Sequence, residues 1–141
     1  MKDNRAQISL EYILIFAISL LVLMIFTLPL AEDSIKNTVD VSDSLNVRYC
    51  MSNIAQAIKE VYGEGQGSKR TLDIDSDKQI RVSVSDSYIS CSVKLKSNSN
   101  KQIKESFKSN LKKTSITLNE GKNAIIVEWP VGSENMLIYK K

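Results

Sequence analysis

The chain has 141 residues, a net charge of +3 and no histidine. That length holds one modest domain once a hydrophobic segment is set aside. Without imidazole the commonest metal ligand and general base are gone, and no Ser-His-Asp triad can form. No enzyme, cofactor or metal site is therefore expected. The small charge, scattered lysines (short clusters only at Lys69-Arg70 and Lys112-Lys113) and few aromatics describe a solvated surface and argue against nucleic acid.

Residues 1–6, MKDNRA, read as a short basic leader, with helix from about Gln7. From Tyr12 to Ala31 there are twenty residues and no charge, with Ser19, Thr27 and Pro29 breaking a run of isoleucine, leucine, phenylalanine, valine and methionine. At about 1.5 Å rise per residue such a run spans the roughly 30 Å hydrocarbon core of a bilayer. A soluble helix of this length would carry a polar face, and this one has none. Residues 8–31 are therefore expected in lipid or in the centre of a helical assembly. A cleaved secretory signal is the rival reading. It is disfavoured because the run is too long and Pro29-Leu30-Ala31 places proline where a small residue is wanted. Lys2, Arg5 and the free amine precede the span against Asp3, while Glu32, Asp33, Asp40 and Asp43 follow it against Lys36. The positive-inside rule then puts the N-terminus in the cytoplasm and the remainder outside the cell. Glu11 stands at the front of the apolar run, where a carboxylate is costly unless it has a partner or sits among headgroups.

Arg5-Ala6-Gln7-Ile8-Ser9-Leu10-Glu11-Tyr12 resembles the archaeal class III signal peptide, a Gln-x-Ser-x-Glu-aromatic motif leading straight into a hydrophobic helix. Proteins with this motif resemble type IV pilins. The resemblance covers about the first 30 residues. It implies that a membrane-embedded prepilin peptidase cuts between Ala6 and Gln7 and leaves the hydrophobic segment on the mature protein. Ala6 departs from the pattern, in which glycine is commoner before the cut. Carried over, Glu11 becomes the fifth mature residue and pairs with the freed amine of Gln7 in a neighbouring subunit, setting registry. A buried carboxylate is tolerated when paired and hydrogen-bonded in this way.

Beyond Pro29, expected to kink the helix, Val47, Met51, Ile54, Ile58 and Val61 recur at spacings of four and three and mark an apolar stripe. Residues 37–44, NTVDVSDS, are poor helix formers, and Ser42 or Asp43 suits a cap. One long helix over residues 7–62, with an amphipathic part at 32–62 and a length on the order of 80 Å, is favoured over a break there. Gly63, Gly65 and Gly67 end it in a turn at residues 63–68; the spacing does not fit a phosphate loop.

From residue 69 to 141 the period is two. Ile80, Val82 and Val84, then Ile89, Cys91, Val93 and Leu95, alternate with polar residues as half-buried strands on either side of Asp86-Ser87. Residues 101–111 fit helix or strand. Thr114 to Leu118, Ala124 to Trp129 and Met136 to Tyr139 complete the strand set, and the doubly apolar Ala124 to Val127 belongs at the centre of the sheet. The fold class is α+β: a long hydrophobic helix followed by a small, mainly antiparallel β-sheet domain.

Cys50, near the helical stripe, and Cys91, on an inward strand face, point to one core. Outside the cell they are candidates for a disulfide closing a loop of about forty residues, or they are two free core thiols. Asp73, Asp75 and Asp77 open like a calcium loop but lack its glycine and final glutamate, and read as an exposed acidic turn. No Asn-x-Ser/Thr sequon occurs, so N-glycosylation is not expected.

The expectation is a pilin, major or minor, of a surface filament, whose partners are a prepilin peptidase, the membrane and further copies or other pilins. The alternative is a single-span anchored binding module that never polymerises.

Overall fold

The computed structural model describes residues 4–96 and 99–141, with side chains from Leu10 onward. One helix, α1 (Asn4–Glu64), is followed by seven strands: β1 (Lys69–Ser76), β2 (Ile80–Val84), β3 (Tyr88–Lys94), β4 (Asn100–Ser106), β5 (Thr114–Leu118), β6 (Gly121–Glu128) and β7 (Leu137–Lys140). Contacts divide the chain into two units, residues up to Thr38 and Val39–Lys141, so α1 belongs in part to each.

In the first unit α1 remains helical across Pro29. The serine and the threonine of the apolar run bond back into the helix: Ser19 Oγ donates to the Ile15 carbonyl at 2.8 Å and Thr27 Oγ1 to the Leu23 carbonyl at 2.6 Å. Lys36 and Glu32 form an exposed pair four residues apart at 3.9 Å, worth a few tenths of a kcal/mol at most.

In the second unit α1 continues without interruption through residues 39–44, and tertiary bonds account for it. Asp40 is buried and accepts the Lys96 backbone N–H at 2.6 Å. Asp43 pairs with Lys78 at 2.5 Å, and Asn46 bonds to Asp77. Tertiary partners here override weak helix propensity. The helix ends at Gly65, whose φ of 89° is open to glycine without steric cost. The Ser68 hydroxyl then donates to the Val61 carbonyl at 2.9 Å, satisfying an acceptor of the last turn.

The strands divide between two antiparallel sheets, where a single sheet was expected: β1-β6-β7 and β4-β3-β2-β5. The central β6 carries Ile125 and Val127, both fully buried, and Ile126, 8% exposed. The two sheets share a spine. β1 and β6 pair from Lys69↔Glu128 to Ser76↔Gly121, and β2 and β5 resume the pairing from Ile80↔Leu118 to Val84↔Thr114. Between these ladders three residues, 77–79, oppose two, 119–120. The extra residue acts as a bulge, which bends a ribbon and ends regular pairing. Beyond it, β7 widens one end of the ribbon and β3 and β4 the other. Asn123, 1% exposed, fixes this corner by accepting the Asn119 N–H at 2.9 Å and donating to the Asn119 and Gly121 carbonyls at 2.7 Å each.

One core joins the α1 residues Val47, Met51, Ile54, Ile58 and Val61 to inward residues of both sheets, among them Ile74, Val82, Ile89 and Ile125. The two-way segment resolves as strand β4 and then irregular chain. Ile103 is buried from the strand, and Phe107 and Leu111 from the segment after it, where Leu111 bridges to Met136. Tyr62 stacks on Trp129 with planes 4° apart and centroids at 5.7 Å, closing the end of the core near the helix terminus.

Candidate functional site

The apolar run defines the candidate site because its side chains have nothing packed on them. No part of its most hydrophobic stretch is buried, and Leu10, Phe16, Ile25 and Phe26 are each 65–68% exposed. A water-soluble helix cannot leave so much apolar surface open. The serine and threonine hydroxyls within it are already satisfied, since Ser19 and Thr27 both donate to backbone carbonyls. That is what a helix in hydrocarbon requires. Length and composition suffice to cross a bilayer.

The backbone from Arg5 to Ser9 is helical, so the Ala6–Gln7 bond lies within α1. The side chains of Arg5, Ala6, Gln7 and Ser9, and all of residues 1–3, lie outside the described residues. Glu11 and Tyr12 face outward, one turn beyond Gln7 and at the entrance to the apolar run. The Gln7 nitrogen, were it freed, would add positive charge to the positive end of the helix dipole, and a carboxylate is the group that offsets it.

The remaining sequence candidates fall elsewhere. Cys50 and Cys91 are both buried and both free thiols in this structure. Cys50 Sγ lies 3.6 Å from the Asp75 carbonyl and 3.9 Å from Asn46 Oδ1. Burial pushes the Cys50 thiol up, with Asp77 and Asp75 adding to it. Burial pushes Cys91 up as well, with Cys50 adding. Such thiols stay protonated and unreactive near neutral pH.

The acidic triplet is not the turn expected of it. Asp73 and Asp75 project from the exposed face of β1, while Asp77 lies past its end beside Asn46. Alternate residues of a strand share a face but do not form a cage. Among the described residues no three His, Cys, Asp or Glu side chains are placed to hold a metal.

Sequence reasoning misses Val41, Leu45 and Tyr49, which are 58%, 60% and 66% exposed on the side of α1 away from the core. Their spacing of four is the signal that could have found them.

Comparison with protein families matches the class III signal peptide to residues 4–30. The chain therefore carries a class III signal peptide, and the match takes in the Ala6–Gln7 bond, Glu11 and most of the apolar run. Comparison with curated proteins and with solved structures finds no match.

Proposed function

We propose that this chain is a structural subunit, a major or minor pilin, of an archaeal type IV pilus-like surface filament. A class III signal peptide marks the precursor of a pilin-like or archaellin-like protein, handled by a prepilin peptidase. The peptidase cuts between Ala6 and Gln7 and frees the amine of Gln7. The apolar helix first holds the subunit in the membrane, with its N-terminus cytoplasmic and the β-rich part outside. In the filament, the helices of other copies or other pilins replace lipid around it. Removal from hydrocarbon demands another apolar environment, and packed helices are one.

The observation that carries this reading is the coincidence of two properties in one segment. A processing signal occupies residues 4–30, and the helix that bears it leaves its apolar side chains in the open on every side. A secretory signal would be discarded, whereas this segment stays and must be covered. Glu11 is the one acid in it. Its pairing with the Gln7 amine of the next copy would offset a carboxylate otherwise costly among apolar helices.

The test is the intact mass of the native protein from its own cells, followed by electron microscopy of sheared surface material. A chain starting at Gln7 and present in filaments supports the proposal. A chain starting at Met1, confined to membranes, overturns it in favour of an anchored module. A chain starting at Glu32 would make the segment a discarded signal.

A further inference from the structure

Basic residues that lie scattered in the sequence are gathered on one side of the four-stranded sheet. Burial alternates along its strands, with Val82, Cys91, Ile103 and Ile116 inward, so their neighbours in each strand share an outer face. Across that face Ser115, Ser83, Ser90 and Lys104 stand opposite one another on β5, β2, β3 and β4. At about 4.8 Å per strand this row is about 14 Å long. The next row sets Thr117 beside Arg81 and Ser92 beside Gln102, and Lys94 follows at the end of β3. Among the described residues no carboxylate projects from these rows. Glu105 sits on the other side of β4, 3.6 Å from Arg48. Asp86 lies in the β2–β3 turn, where the Ser85 and Ser87 hydroxyls donate to it.

The polar groups of this face are unspent. Among the described residues the hydroxyls of Ser83, Ser90, Ser92 and Ser115 bond to no protein group. Those of Ser68, Ser76, Ser109 and Ser133 each donate to a backbone carbonyl. Arg81 and Lys94 likewise meet no acid there, while Arg48, Lys69, Arg70 and Lys78 are all paired. The chain carries only +3 in all, so its excess charge is concentrated here. The face also lacks an open apolar anchor. Its one aromatic ring, Tyr88, is half-buried and has Lys104 Nζ over it, 3.9 Å from the centroid.

These properties select the occupant. Tight protein partners are held by aromatic and aliphatic anchors, and single-stranded nucleic acid by open rings on which bases stack. A lipid surface is held by apolar side chains that enter it. The face offers none of these. A polymer rich in hydroxyls, with carboxylates at intervals, matches it group for group: hydroxyl to serine, carboxylate to lysine or arginine. We infer that the outer face of β4-β3-β2-β5 binds an acidic polysaccharide, a chain of uronate-bearing sugars lying flat across the serine rows. Such binding does not depend on assembly and suits a filament subunit and an anchored module alike. Each contact is exposed and weak, so binding is sensitive to salt and gains from several copies on one polymer.

The test follows the fluorescence anisotropy of labelled oligogalacturonate as the full-length chain in non-ionic detergent is added. The wild-type chain should bind it and ignore the methyl-esterified oligomer, which keeps the hydroxyls and loses the charge. Arg81→Gln, Lys94→Gln and Lys104→Gln together should weaken binding by about tenfold or more. Lys59→Gln, Lys122→Gln and Lys141→Gln together remove the same charge from exposed positions elsewhere and should change it by less than about twofold. Ser83→Ala with Ser92→Ala should weaken binding while leaving its salt dependence unchanged, a result that net charge alone does not produce. All these side chains are exposed, and an unchanged melting temperature verifies each variant's fold. Equal losses from the two triple variants mean long-range attraction and overturn the face. Tighter binding of polyglutamate or of oligothymidylate of equal charge makes the occupant an acidic protein or a nucleic acid and overturns the polysaccharide. No binding by the wild-type chain overturns the proposal outright and leaves the assembly reading untouched.

Discussion

Lys78 Nζ lies 2.5 Å from the Asp43 carboxylate, tying α1 to the three-residue bulge at which the β1–β6 ribbon bends into β2–β5. The two side chains are 34% and 17% exposed, so the pair is neither a freely hydrated surface bridge nor a dry one. It joins the weakest helical stretch of α1 to the one irregular point of the sheet spine. Each irregularity thus supports the other.

Removing one partner leaves the other charge half-buried and unpaired. Asp43→Ala and Lys78→Ala should each lower unfolding free energy by about 1–2 kcal/mol. The double variant should lose clearly less than the sum, because the two share one interaction. Urea unfolding of the detergent-solubilised chain measures all three. Strict additivity would mean the pair contributes nothing and the bend is held by Asn46 and Asp77.

The helix stripe and the membrane-length run were legible in the sequence because each is a local pattern, a period of three and four or an unbroken absence of charge. The central place of β6 was legible for the same reason, through Ala124 to Val127. The division into two sheets was not, since it depends on Ser76 meeting Gly121 and Ile80 meeting Leu118 across some forty residues of chain. Asp73 and Asp75 imitate a turn because aspartate is a poor strand former, although Leu72 and Ile74 alternate with them. The spacing of four among Ile103, Phe107 and Leu111 imitates a helix. It arises from a strand residue and two anchors in the irregular segment beyond. In the candidate site, the class III signal peptide over residues 4–30 was legible from motif order, while the second stripe escaped because one apolar face already explains the helix.

The two faces of α1 should respond oppositely to truncation. Ile54→Ala removes a fully buried side chain and should cost about 2–5 kcal/mol by lost burial plus the cavity left behind. Leu45→Ala removes one that is 60% exposed and should change the stability of dispersed subunits by no more than about 0.5 kcal/mol. Denaturant midpoints in detergent compare them directly. A large loss from Leu45→Ala would place Leu45 in the subunit's own core and contradict its exposure.

Stability should also fall in alkali. Burial raises the thiols of Cys50 and Cys91 above their unfolded value of 9.0. Below that value both states hold the protons and no dependence arises. Above it the unfolded chain ionises first and is favoured, so stability declines as pH rises toward the folded values. Melting temperatures in detergent should be level from about pH 7 to about pH 8 and drop by about pH 9.5, where most lysines still hold their protons. Cys91→Ala should flatten the decline relative to its own value at neutral pH. An undiminished slope in a Cys50→Ala, Cys91→Ala double variant would assign the alkaline loss to other groups. A native mass two hydrogen atoms short of the free-thiol value would mean the two are joined as a disulfide, and the decline should then be absent without any substitution.

Glu11 gives the sharpest test of assembly. It is exposed at the entrance to the apolar run, so Glu11→Ala should leave the stability of the dispersed subunit unchanged. It lies four residues past Gln7, inside the matched signal, so its loss should slow peptidase cutting without abolishing it. In the assembly proposed above, the carboxylate would become necessary when the Gln7 amine of another copy enters a low-dielectric helix cluster, where an unpaired ammonium costs several kcal/mol. Glu11→Ala should therefore accumulate as processed subunit starting at Gln7, retained in the membrane, with no filaments by electron microscopy. Glu11→Asp, shorter by one methylene but still ionised, should restore some of them. Normal filaments from Glu11→Ala would remove the acid from the assembly mechanism. Failure of Glu11→Asp beside an equally inert Glu11→Gln would mean that side-chain length, and not charge, sets the fit between copies.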